Sequence, residues 1–270
     1  MRRRLARVIL VAALCLCASA AVAAEHPSLA KARALYNAAD YDGAIGAAAA
    51  ARSDPPSADA AALVMGRAHL ERYRLSADPA DLGVARELLG TVRAPALMPR
   101  DQLDLLIGLG QTLYLGETFG AAAELYGTAL GRASMLGERD RALLLDWWAT
   151  AMDRDAQRQQ ADHRAPIFER VIARMDEELR RDPGSAPANY WLAASARGAG
   201  HLDRAWHAAV AGWISANLTP ESAQRLRTDL DRLVTDVLIP ERARARPARE
   251  QSDALIALRA EWESHKTQWK

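Results

Sequence analysis

In the second half of the chain, apolar positions recur at helical spacing. Between Arg139 and Gln160 the residues Leu144, Leu145, Trp148 and Met152 lie on one stripe, which predicts a single long helix. The following stretch, Pro166 to Arg181, carries Ile167, Val171, Ile172, Met175 and Leu179 in the same rhythm and stops at Asp182-Pro183-Gly184. At Thr219-Pro220-Glu221 a threonine cap is followed by proline in the first turn. This starts a predicted helix that runs through Val234 and Leu238 and that Pro240 ends. From Ala248 to His265 the residues Leu255, Leu258 and Trp262 share one face, with charge on the others. Repeat arrays need such a polar-backed last helix to cover their exposed end.

Small residues add a longer period. Gly110, Ala122 and Ala129 are separated by twelve and then seven positions, as are Ala193, Ala205 and Gly212, and Ala32, Ala44 and Ala51. Each time, a turn-compatible stretch lies between the first and second small residue: Ala39-Asp40-Tyr41-Asp42-Gly43, Gly116-Glu117-Thr118-Phe119-Gly120 and Gly200-His201-Leu202-Asp203. Small residues facing each other across two helices let the axes approach closely, while larger ones a turn away fill the gap to the next pair. Residues 28 to 217 in this way resemble the tetratricopeptide repeat family, whose unit is an antiparallel helix pair of about 34 residues. Ala32 to Gly66 is one such period, whereas Gly66 to Gly110 and Ala149 to Ala193 each span 44. The expected architecture is all-α: a solenoid of antiparallel helix pairs with a C-terminal capping helix. Residues 25–217 form about five pairs, some degenerate, and residues 218–270 supply terminal helices joined by an Arg-rich linker, 241–249.

The first 24 residues read differently. Arginines at 2, 3, 4 and 7 precede an apolar run from Val8 to Cys17 and small residues ending Ala21-Val22-Ala23-Ala24, the pattern of a secretory signal peptide cleaved after Ala23 or Ala24. The alternative is a retained membrane anchor, since Val8 to Ala24 reaches the lower end of spanning length. Leucine precedes both Cys15 and Cys17 where a lipobox wants glycine or alanine, which argues against lipidation. Cleavage turns a formal net charge of +1 into −3, with 31 basic and 34 acidic residues left, and removes both cysteines. Disulfides, thiolate metal sites and cysteine nucleophiles are then excluded together. The expectation is an exported chain, periplasmic or secreted, with no integral membrane segment after cleavage.

No catalytic motif emerges. Ser195 sits in Ala193-Ala194-Ser195-Ala196 without a nucleophile elbow, Gly108-Leu109-Gly110 lacks the third glycine and the preceding strand of a dinucleotide loop, and no two histidines have zinc spacing. Neither a catalytic residue, a metal nor a cofactor is expected. Asp146 and Asp153, on one helix face, are the only carboxylate pair that suggests an enzyme or enzyme accessory subunit acting on envelope polysaccharide. Arginine outnumbers lysine 32 to 3 but is interleaved with acids, so nucleic acid is not an expected partner. The exception is Arg242, Arg244, Arg246 and Arg249, which could meet an anionic partner or lipid head groups at the periphery of the envelope.

Aromatic residues say more. All seven tryptophans follow residue 146, and the doublets Trp147-Trp148 and Tyr190-Trp191 cannot both face one packing surface, because adjacent helical residues diverge by about 100°. The family resemblance implies a concave groove lined by first-helix residues beside the packing positions. On this chain those are Arg67, Gln111, Tyr114, Asp146, Asp153, Tyr190 and Arg197. It implies protein interaction: an envelope adaptor or assembly factor that holds a peptide or partner in the groove. A membrane-tethered scaffold follows instead if the first segment is retained.

Overall fold

A computed structural model describes residues 25–269. The proposed signal segment, residues 1–24, lies outside the described residues. The described chain is all-α. Five helix pairs follow one another: α1 (Pro27–Asn37) with α2 (Tyr41–Ala51), α3 (Ala58–Ser76) with α4 (Pro79–Thr91), α5 (Pro99–Leu115) with α6 (Phe119–Leu130), α7 (Glu138–Arg158) with α8 (Ala161–Arg181), and α9 (Ala186–Gly198) with α10 (Leu202–Ser215). Beyond them come α11 (Pro220–Arg232), a π-helical segment Leu233–Leu238, α12 (Ile239–Arg244) and α13 (Gln251–Gln268).

Short connections make consecutive helices antiparallel neighbours. First helices also touch one another, α1 with α3, α3 with α5, α7 with α9 and α9 with α11, whereas the second helices of successive pairs do not pack in this way. First helices therefore form a tighter inner layer, and the array is a helical repeat solenoid whose inner surface they line.

Three turns repeat one geometry. The amide of Asp40 donates to the carbonyl of Leu35 at 2.9 Å, Thr118 to Leu113 at 2.8 Å and His201 to Ala196 at 2.8 Å. These are Schellman closures, and the residue before each donor is left-handed: Ala39 (φ 60°), Glu117 (φ 61°) and Gly200 (φ 85°). After each turn the small-residue frame closes the pair. Ala32, Ala44, Ala51, Ala122, Ala129, Ala193 and Ala205 are fully buried. A Cβ on Gly66 would stand 2.7 Å from Leu89 Cγ, and one on Gly110 would stand 2.5 Å from Tyr126 Cε1. The partner helices occupy the space that the missing side chains leave.

The C-terminal end is closed by Trp262 of α13. It is fully buried, meets Trp206 and Trp213 edge to face at 6.0 and 5.4 Å, and donates its indole N–H to Asp231 at 2.7 Å. That is the covering role expected of the last helix.

The structure corrects three local expectations. Pro240 does not end a helix, since α11, the π segment and α12 run on as one rod to Arg244. A π turn widens the backbone just before the proline, where its ring would otherwise strike a carbonyl, while Val234, Leu238 and Ile239 on the same rod are fully buried. The Arg-rich stretch 241–249 is consequently not a linker throughout, because it begins inside α12. Likewise the helix expected from Pro166 is α8, which starts five residues earlier at Ala161. The residues around that proline are mostly exposed, and water can take up the carbonyl it leaves without a donor.

Candidate functional site

Among the described residues, two cavities on the inner layer gather candidate side chains. One, of about 400 Å³, lies between α1, α3, α5 and the start of α7, where Arg67 stands with Arg33, Tyr36, Arg100, Asp104 and Asp140. Arg67 pairs with Asp104 at 3.0 Å and lies 4.9 Å from the centre of the Tyr36 ring. Arg100 reaches Asp104 and Asp140 only at 3.6 and 3.8 Å. Arg33 is clamped on both oxygens of Asp101, each at 2.8 Å.

The other cavity, of about 280 Å³, is formed by α3, α5, α6 and α7. It gathers Gln111, Tyr114 and Asp146, three of the residues expected in the groove, with Arg74, Tyr126, Trp147 and Thr150. The tryptophan doublet explains its wall. Trp148 is buried in the core between pairs, which turns the half-buried Trp147 toward the inner surface, where its ring lies 6.1 Å from that of Tyr126. Tyr190-Trp191 divides in the same way, with Trp191 buried and Tyr190 half-buried.

Carboxylates on this surface are treated unequally. Asp101 and Asp104 face arginines directly. Asp146 accepts the indole N–H of Trp191 on Oδ1 at 2.8 Å, and Asp153 accepts from Gln157 at 2.6 Å, but among the described residues neither forms an ion pair. Burial pushes both carboxyls above the usual aspartate range. It outweighs the Trp191 hydrogen bond and the more distant Arg225 at Asp146, and the through-space pull of Arg154 and Arg197 at Asp153. Burial, reinforced by Asp229, Asp153 and Asp146, also raises the Tyr190 hydroxyl, so these groups share one acidic stretch of the inner surface.

Other candidates are engaged elsewhere. Arg197 holds Glu241 at 2.6 and 2.9 Å, which ties α9 to α12. Arg242 is a correction to the anionic-contact expectation. Its side chain is 16% exposed, donates to Asp203 at 2.8 Å and lies over Trp206 at 4.8 Å, so it braces α12 against α10. Arg244, Arg246 and Arg249 are exposed, Arg244 donating to the Pro240 carbonyl and Arg249 to Glu250. Arg33, Tyr36 and Tyr126 were missed by sequence reasoning, which divided the Trp147-Trp148 doublet between two surfaces without saying which ring lines the groove. Arg33 and Tyr36 stand one and four residues after Ala32, the offsets that place Gln111 and Tyr114 after Gly110, so the signal was present.

Among the described residues no three of His, Cys, Asp and Glu gather to hold a metal ion, and no helix is long and apolar enough to cross a membrane. No protein-family model matches the chain, and neither does any curated protein.

Proposed function

We propose that this chain is an interaction module of the tetratricopeptide type, which holds a peptide or extended partner segment along its inner helix layer. The observation that carries the reading is the cavity at α5–α7, where residues from separate repeats, Gln111, Tyr114 and Asp146, meet beside exposed inner-layer polar groups. A mixed aromatic and polar groove offers apolar contact area with a few orienting hydrogen bonds, which suits peptide recognition. The leader-like first 24 residues support export and a role as a cell-envelope adaptor or assembly factor. Intact mass of the exported protein tests this: retention of residues 1–24 would instead favour a tethered scaffold.

Affinity capture from the native envelope tests the groove. Tyr114→Ala and Tyr190→Ala are expected to weaken capture while helicity is preserved; capture of the same partners by both variants would refute it. An enzyme acting on envelope polysaccharide rests on Asp146 and Asp153 alone, and the Trp191 hydrogen bond to Asp146 supports a positioning role for that carboxylate over proton transfer.

A further inference from the structure

We propose that the cavity walled by Tyr114, Tyr126, Trp147 and Asp146 takes a basic side chain of the bound segment, an ammonium or guanidinium group at the end of an aliphatic stem. The inference rests on the groove reading and names the chemistry that this part of the groove selects.

Three observations lead to a cation. The walls are aromatic: Tyr114 from α5, Tyr126 from α6 and Trp147 from α7 line the cavity, with the Tyr126 and Trp147 rings 6.1 Å apart, and the faces of such rings attract cations electrostatically. The carboxylate is incompletely satisfied. Oδ1 of Asp146 is fixed by Trp191, and among the described residues Oδ2 has no hydrogen-bond partner and the group has no ion-pair partner. In the neighbouring cavity the same need is met internally, by Arg67 on Asp104. A half-buried carboxylate without a cation is unfavourable, and a ligand that brings one removes the penalty. Finally, Tyr126 lines the cavity, and its hydroxyl forms no hydrogen bond with another described residue. It can accept from an ammonium or guanidinium N–H.

Arg74 on the lining pairs with Glu71 at 3.1 Å, which offsets part of its charge, although it still acts through space on Tyr126. A volume of about 280 Å³ is enough for one long side chain. The apolar stem of lysine or arginine would lie along the rings while the head group reaches Asp146.

The test uses the full chain and short capped peptides that differ at one central position: lysine, arginine, norleucine or glutamate. Calorimetric titration should show lysine or arginine binding about tenfold or more tighter than norleucine, with glutamate weakest. Asp146→Asn, which keeps the acceptor for Trp191, should reduce the preference for lysine over norleucine about tenfold, and Trp147→Leu should weaken both basic peptides. Equal binding of lysine and norleucine peptides, no binding of either basic peptide, or an unchanged preference in Asp146→Asn would overturn the proposal. Failure here is separable from failure of the groove. If basic peptides do not bind but Tyr114→Ala still loses its native partner, the groove stands and its cation specificity falls.

Discussion

Gly110→Ala is the smallest change that tests both the packing frame and the cavity. An added Cβ would lie 2.5 Å from Tyr126 Cε1 and 2.8 Å from Cδ1, so the ring must retreat by close to 1 Å to restore ordinary contact at 3.4 Å or more. Tyr126 is 2% exposed, and its ring is hemmed by α5, α7 and the cavity. Overpacking of this kind costs about 1–3 kcal/mol, against which alanine gains about 1 kcal/mol of helix propensity over glycine. The net expectation is destabilisation of about 1 kcal/mol. Gly83→Ala is the control, because it lies inside α4 and its Cβ would meet nothing within 4 Å, so only the propensity gain remains. Two variants of identical chemistry should thus differ by about 2 kcal/mol, or roughly 4–8 °C in melting midpoint for a chain of this size. Thermal unfolding followed by far-ultraviolet circular dichroism measures the gap. The displaced Tyr126 ring should also weaken binding of a basic peptide, since it is a wall of that cavity. If Gly110→Ala melts at or above Gly83→Ala, the close approach of α5 and α6 at this residue is wrong.

Other perturbations probe separate parts of the array. Glu178 is 3% exposed and faces Arg141, Arg174 and Arg181; burial alone would raise its carboxyl, but the Arg141 and Arg181 hydrogen bonds and charges hold it below the usual range. Its stabilisation is therefore present above the ordinary glutamate value of about 4.3 and lost as pH falls through the depressed one, and Glu178→Gln should cost about 3 kcal/mol at neutral pH and converge with wild type in acid-unfolding titrations. Trp262→Ala should cost about 3–5 kcal/mol and red-shift tryptophan emission as α13 uncovers Trp206 and Trp213; unchanged amide exchange in α13 would contradict its capping role. Ala39→Gly relieves a left-handed alanine and should raise the melting midpoint by about 1–3 °C. Asp146→Asn should raise it by about 1–2 °C at neutral pH, because a carboxyl raised by burial contributes stability when protonated and loses that contribution as pH rises through its folded value.

The helix-pair frame was legible because it rests on spacing that the backbone imposes. Ala32, Ala44 and Ala51 must be small wherever two helix axes meet, whatever lies around them. Turns were legible from their polar pattern although only one of the three repeated turns carries glycine at its left-handed position, Gly200; Ala39 and Glu117 accept the conformation because the Schellman hydrogen bonds hold it. Local rules failed where tertiary packing outweighed them. Proline at 240 marks a helix end by propensity, yet buried Leu238 and Ile239 bind the rod to α10 and α13, and the π turn absorbs the misfit. Arg242 looked available because its partners, Asp203 and Trp206, lie on another helix and share no sequence pattern with it. Nothing in the spacing of Tyr126 shows that it joins a cavity completed by the next pair.

On the proposed reading, stability and recognition are set against each other at Asp146. An arginine-rich chain supplies cations freely to its carboxylates: Asp101 and Asp104 on the inner surface have Arg33 and Arg67, and elsewhere Glu178 has three arginines and Glu241 has Arg197. Asp146 and Asp153 also lie on the inner surface, but the nearest arginines act on them only through space. If the inner surface were only a scaffold, substituting asparagine at Asp146 would help folding and cost nothing else. If it is a binding surface, that substitution must separate two measurements, raising the melting midpoint while lowering affinity for a basic segment. The opposite signs matter more than either magnitude, because simple loss of folding would lower both.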